Sequence, residues 1–241
     1  KWRKCHYLLK HIKALGYKKV ITFGGAYSNH IHAFSYACSE LGLEQIGIIR
    51  GEELENKSLN KTLSFAKDNG MTLKFVTRDE YRRRNDDDYI RQLEDEHQAY
   101  IVPEGGTTLF AIDGFKDMLE DIRTESLFDY ILVPCGSGGT ISGINANLQD
   151  TEQVIGINVL KGTENDLIST LKEFSPNEKY HIETDYHCGG YAKTTQELND
   201  FIVWFESYYN FEIEKVYSAK MFFAFFDMVK KGCFDLSLIH I

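Results

Sequence analysis

The sequence predicts an α/β fold with parallel sheet. Three observations predict it. Short runs rich in β-branched and aromatic residues recur at a regular step. Stretches with helical spacing lie between them. Turns rich in Gly, Ser, Thr and Asn follow three of the runs. Parallel strands need a crossover of a dozen or more residues, and a helix usually supplies it.

The predicted strands are Lys19–Phe23, Gln45–Arg50, Thr72–Thr77, Ala99–Pro103, Tyr130–Pro134 and Gln153–Val159, starting 23 to 31 residues apart. In Asn29–Leu41 the residues Ile31, Phe34, Ala37, Cys38 and Leu41 form an apolar stripe of helical period. Helical spacing also marks 57–69, 79–97 and 109–124. After Val159 the alternation changes. Residues 164–174 read as a helix that Ser175-Pro176-Asn177 breaks. Thr194 or Thr195 is placed to cap a helix running to Tyr209. A last helix spans about 219–231 and closes on Gly232. The final residues, 235–241, have no place in this pattern and resemble non-native tail sequence.

Composition narrows the function. The chain has 241 residues, is 43% hydrophobic and 26% charged, and carries a formal charge of -9. It is long enough to bury a substantial core and too apolar for a disordered tail. No apolar run reaches the ~18 residues a membrane helix needs. An acidic chain has no global attraction to nucleic acid or anionic lipid, so neither is expected as a partner. The run Arg82-Arg83-Arg84-Asn85-Asp86-Asp87-Asp88 pairs opposite charges and reads as a solvated face. Five cysteines without a CxxC give neither a disulfide framework nor a zinc knuckle, and a reducing cytoplasm is the expected setting. His30 and His32, two apart, are poorly spaced for a metal on one helix face, and no metal is expected.

The most informative segment is Gly136-Ser137-Gly138-Gly139-Thr140, between a strand and a helix. Glycine-rich backbone at a helix N-terminus offers unpaired N–H groups and the positive dipole end to an anion such as phosphate. A dinucleotide fingerprint would need Gly where Ile141 stands, and a P-loop would need Lys where Ile144 stands. The hydrolase elbow GxSxG nearly fits, with Cys135 in place of its first Gly, and Ser137 as a nucleophile is a rival reading. That reading needs His181 or His187 as its base. Gly24-Gly25-Ala26-Tyr27-Ser28-Asn29-His30 and Pro103-Glu104-Gly105-Gly106-Thr107-Thr108 also follow strands and so share a carboxyl edge, where open α/β sheets bind ligands. Ser28 or Asn29 also has a plainer role as a helix cap. By composition, Lys1-Trp2-Arg3-Lys4 reads as a solvated basic segment.

Taken in order with Gly189-Gly190-Tyr191-Ala192 and Val216-Tyr217-Ser218-Ala219-Lys220, these segments resemble a known family. It is the 1-aminocyclopropane-1-carboxylate deaminase / D-cysteine desulfhydrase family of pyridoxal-phosphate enzymes. The resemblance runs from Lys1 to about Phe234. It implies two open parallel-sheet domains with flanking helices, tryptophan-synthase-β-like (fold type II). Residues 5–100 would form the smaller domain, and residues 1–4 with 101–234 the larger, whose outer parts lie beyond both ends of this sequence. The implied cofactor is pyridoxal 5′-phosphate, the implied substrate a small amino acid and the implied assembly a homodimer.

The resemblance also implies site residues. Lys1 matches the lysine that forms the Schiff base. Gly136, Ser137, Gly138, Gly139 and Thr140 match the phosphate seat. Asn29 matches the partner of the phenolic oxygen, and Ser28 a hydroxyl that handles the substrate carboxylate or a proton. Tyr191 and Tyr217 match aromatic hydroxyls near the substrate. Ser218 matches the partner of the pyridine nitrogen, and Ala219 replaces the family's usual Gly. A carboxylate at 218 would strengthen the electron sink, whereas a hydroxyl leaves the nitrogen largely unprotonated. Ser218 and His30 therefore lean toward desulfhydrase-like β-elimination from D-cysteine, with 1-aminocyclopropane-1-carboxylate deamination as the alternative. A non-catalytic fragment that only binds the cofactor is a third reading.

Overall fold

The computed structural model describes residues 1–175 and 177–234, with the side chains of residues 3 and 113 left aside. Pro176 of the predicted helix breaker and the suspected tail 235–241 lie outside the described residues. The chain divides into two compact units, Lys1–Phe115 and Lys116–Ile241.

The first unit contains α1 (Trp2–Ala14), β1 (Lys19–Gly24), α2 (Asn29–Leu41), β2 (Glu44–Arg50), α3 (Lys61–Asp68), β3 (Met71–Val76), α4 (Arg78–Arg82), α5 (Asp87–His97) and β4 (Tyr100–Val102). Its strands form one parallel sheet in the order β3-β2-β1-β4. Alternate residues of β1 enter two different cores. Val20 packs with Cys5, Leu8, Leu9 and Ile12 of α1 and with Ile31, Phe34 and Ala37 of α2. Ile21 and Phe23 face Tyr81, Tyr89 and Leu93 on the other side. Burial on both faces is why the parallel strands read as continuous apolar runs. Chain order runs from β1 outward through β2 and β3, and β4 then joins the opposite side of β1. The switch point lies between β1 and β4, so the turns after these two strands share one crevice edge.

The second unit follows α6 (Leu109–Glu125), and holds β5 (Tyr130–Cys135), α7 (Gly139–Ala146), β6 (Gln153–Asn158), α8 (Glu164–Phe174), β7 (Tyr180–Glu183), α9 (Gln196–Tyr209) and α10 (Ser218–Lys230). Its parallel sheet has the order β5-β6-β7. Ile155 and Ile157 of β6 pack on Ala224 and Met228 of α10. The outer flank of α10 packs on Leu198, Ile202 and Phe205 of α9. Arg123 grips the buried Glu152 through two parallel bonds of 2.7 and 2.5 Å.

Four expectations need correction. The opening residues are not a solvated segment: α1 starts at Trp2, and Lys4 is fully buried. Lys4 precedes Leu8 by one helical turn and lies beside the α1 apolar stripe, so folding the stripe inward takes the lysine with it. The helical stretch 79–97 is broken by a 3₁₀ turn at Arg83–Asn85, where Asn85 and Asp86 favour non-helical backbone. The region 57–69 is helical only from Lys61, because Asn60 caps it and accepts a bond from the Leu63 amide at 2.9 Å. A seventh strand, β7, joins the six that the sequence predicts.

Candidate active site

In the first unit the sheet's switch point gathers a buried polar cluster. Ser28 caps α2, its Oγ accepting from the Ile31 amide at 3.3 Å. Asn29 opens the helix and is exposed, whereas His30 turns inward and is buried. Thr22 on β1 donates its hydroxyl proton to the Val102 carbonyl of β4 at 3.0 Å. Its oxygen therefore accepts from His30 Nε2 at 2.7 Å. That fixes the tautomer: Nδ1 is the bare nitrogen, and it faces Cys5 Sγ at 3.8 Å. Burial, then the neighbouring lysines, hold His30 well below its ordinary pKa.

Lys4 lies beside this ring. Its Nζ donates to Thr107 Oγ1 at 2.8 Å. Gly106, in a left-handed conformation (φ 63°), lets the turn approach: a Cβ there would stand 3.0 Å from His30 Cε1. Burial and the positive charge of Lys1 push the Lys4 ammonium well below its usual range. Lys1 stands at the N-cap of α1, whose first turn has no acidic residue. The helix N-terminus adds positive potential at the same place. This end of α1 therefore favours neutral amines.

In the second unit the carboxyl edge of β5-β6-β7 gathers the remaining candidates. Gly138 is the N-cap of α7, in a left-handed conformation (φ 82°), and no side chain caps the helix. Gly138 and Gly139 are buried, and Ser137 is exposed. The start of α10 lands on this turn: a Cβ on Gly136 would stand 3.2 Å from the Tyr217 ring. The carboxylate of Glu214 accepts from the Val216 and Tyr217 amides at 2.7 and 2.8 Å and sets the approach to Ser218. Tyr191 meets Tyr217 edge to face, with ring centroids 6.4 Å apart.

The Tyr191 turn is held by a residue whose role sequence reasoning missed. Lys220, fully buried, donates to the carbonyls of His187 and Gly190 at 2.8 Å each and to Val159 at 3.4 Å. Burial lowers its pKa from the ordinary value. The histidines that a Ser137 hydrolase would need are engaged elsewhere. His181 bonds Glu183 at 2.7 Å, and His187 Nδ1 accepts from the Gly189 amide at 2.9 Å.

Comparison with known proteins assigns the chain. The family described as "Pyridoxal-phosphate dependent enzyme" matches residues 1–219. The chain belongs to this family. A Thermotoga maritima protein named "Putative 1-aminocyclopropane-1-carboxylate deaminase" is 30% identical to this family member, over 100% of the chain and 82% of that protein. An Arabidopsis thaliana protein named "Bifunctional D-cysteine desulfhydrase/1-aminocyclopropane-1-carboxylate deaminase, mitochondrial" is 29% identical over 60% of the chain and 40% of its own length. A crystal structure described as an ACC deaminase homologue superposes with a TM-score of 0.81 at 27% identity, covering 95% of the chain and 74% of that structure. A bacterial threonine deaminase (T.th.) shares the fold, with a TM-score of 0.66 at 14% identity over 96% of the chain and 78% of that structure. The α/β, fold type II architecture implied by the motifs is therefore found. Among the described residues no helix is long and apolar enough to cross a membrane.

The pyridoxal-phosphate enzyme needs a seat for a phosphate ester. The start of α7 has the required chemistry: buried glycines, an uncapped helix N-terminus and the Ser137 and Thr140 hydroxyls within one turn. The residues present fit the group.

Proposed function

We propose that this enzyme deaminates a small amino acid, and that its preferred reaction is β-elimination from D-cysteine. Water and D-cysteine would give pyruvate, hydrogen sulfide and ammonia. The observation that carries this reading is the start of α10, where Tyr217 packs on the glycine turn and a neutral hydroxyl, Ser218, follows it.

Bound pyridoxal phosphate supplies an aldehyde that captures an amine and a conjugated ring that takes up the electrons of a breaking Cα bond. The residues have separate tasks. Lys1 offers the amine, at a helix terminus that disfavours added positive charge. The 136–140 turn binds the phosphate through backbone N–H groups. Asn29 orients the ring through its phenolic oxygen. Ser28, already fixed as the α2 cap, presents a hydroxyl to the substrate carboxylate or to a proton in transit. Tyr191 and Tyr217 bring phenol groups to the substrate side. Ser218 bonds the pyridine nitrogen without protonating it. Such a modest electron sink suits departure of a thiolate, which leaves more readily than a cyclopropane carbon.

The second reading is deamination of 1-aminocyclopropane-1-carboxylate, favoured by the names of the Thermotoga and Arabidopsis relatives. A homodimer in the cytoplasm belongs to both readings. Sulfide release from D-cysteine, measured beside 2-oxobutanoate release from 1-aminocyclopropane-1-carboxylate, decides between them. Borohydride reduction followed by peptide mapping tests the site. The cofactor mass is expected on Lys1. Recovery on Lys4, or no incorporation, would overturn the assignment.

A further inference from the structure

We infer that the Lys220 ammonium is an internal cation that positions the Tyr191 turn and the start of α10 toward the cofactor site; this rests on the function proposed above.

Three backbone carbonyls converge on one nitrogen, at 2.8, 2.8 and 3.4 Å. Carbonyl oxygens only accept, so three of them require three donors. An ammonium has three N–H groups, and a neutral amine would turn its lone pair toward one of the oxygens. The carbonyls come from three places: Val159 just after β6, and His187 and Gly190 on either side of a turn. That turn is strained. Cys188, Gly189, Gly190 and Ala192 all take positive φ, at 52, 91, 115 and 54°. Left-handed backbone at Cys188 and Ala192 persists only where surrounding bonds over-determine it. Lys220 supplies two of those bonds across 30 and 33 residues.

The two anchored segments carry the candidate substrate-side groups. Tyr191 follows Gly190 directly, and Ser218 precedes Lys220 by two positions on α10. One buried charge therefore ties the aromatic hydroxyl to the ring-nitrogen partner. The same trio of carbonyls would bind a small monovalent cation if the lysine head were removed. Lys220 does not touch the reacting atoms in this scheme and is a positioning residue.

The experiment compares Lys220→Ala and Lys220→Met in the full chain without added cofactor. Melting is followed in ammonium or methylammonium chloride, with tetramethylammonium chloride at equal ionic strength as control. Lys220→Ala is expected to melt on the order of 10 °C below wild type. Ammonium or methylammonium should restore at least half of that loss selectively. Lys220→Met, whose chain fills the space without charge, should stay low and unresponsive. A Lys220→Met protein that melts like wild type would show that only the apolar stem matters, and would overturn the inference. So would a Lys220→Ala protein indifferent to small cations. If neither variant folds, acetic anhydride labelling of wild type replaces them. Lys220 should react at least about 100-fold more slowly than the exposed Lys172, and equal rates would overturn the inference. The melting readout needs no cofactor. Cation rescue without borohydride labelling of Lys1 would sink the functional reading alone, and labelling without rescue would sink this inference alone.

Discussion

At the scale of single residues, two side chains carry opposite burdens. His30 is a buried base kept neutral. The unfolded chain binds a proton near the ordinary histidine value of 6.5, and the folded chain resists it. A depressed folded pKa of a base means that the unfolded state holds more protons below that pH. Stability is therefore complete above pH 6.5 and falls as the pH drops through it. His30→Gln keeps an N–H for Thr22 and removes the titration. The melting advantage of wild type over this variant should shrink between about pH 7 and pH 5, by at most about 1.4 kcal/mol per unit. A constant difference would show that His30 does not titrate in this window. Ser218 acts on reactivity instead. Ser218→Glu would place a carboxylate at the ring nitrogen and favour its protonation. Sulfide release from D-cysteine should fall about tenfold, or about 1.4 kcal/mol in barrier, while 2-oxobutanoate formation rises. Equal change in both activities would remove the pyridine-nitrogen role.

At the scale of elements, packing around the central strand of the second sheet is intolerant. A Cβ on Gly156 would meet Ile141 Cδ1 at 2.5 Å, Cys135 Sγ at 2.8 Å and Ile182 Cδ1 at 2.9 Å. β6 can sit between its two neighbours and under α7 only without that methyl. Gly156→Ala should cost about 1–3 kcal/mol in urea unfolding. Gly25→Ala, whose Cβ would meet only Arg50 Nη2 at 3.7 Å, is the matched control and should stay near wild type. The same double-sided burial explains what the sequence made readable. β1 to β6 stood out because their side chains are wanted on both faces. β7 did not, because four residues carrying His181 and Glu183 at a sheet edge give no apolar run. The α1 stripe of Cys5, Leu8, Leu9 and Ile12 was present in the sequence, but the charges ahead of it drew the opposite reading. The glycine turns were legible because local backbone needs write local sequence. The partners of Lys4 and Lys220 were not. Thr107 lies 103 residues from Lys4, and the Lys220 carbonyls lie 30 to 61 residues away, so only the fold brings them together.

At the scale of the whole molecule, charge and cofactor pull in opposite directions. The chain carries -9, yet its family uses a cofactor with an anionic phosphate. Long-range attraction cannot hold that ester, so binding must come from short-range dipoles and hydrogen bonds. The uncapped start of α7 is where such donors are concentrated in the second unit. Ligand that binds only the folded state stabilises it by mass action, about 2.7 kcal/mol at 100 times the dissociation constant. For a chain of this length that is a rise of about 5–10 °C in melting temperature. Pyridoxal phosphate should produce it. Pyridoxal keeps the aldehyde and ring but lacks the phosphate, and at the same concentration it should produce much less. Gly138→Ala sharpens the comparison. A methyl at a left-handed φ of 82°, pressed against Leu167 and Thr170 at 3.0 and 3.1 Å, reshapes the turn. The variant should respond to the two compounds alike. If wild type already responds alike, the phosphate is not seated at 136–140, and the glycines serve only the packing of α7 against α8.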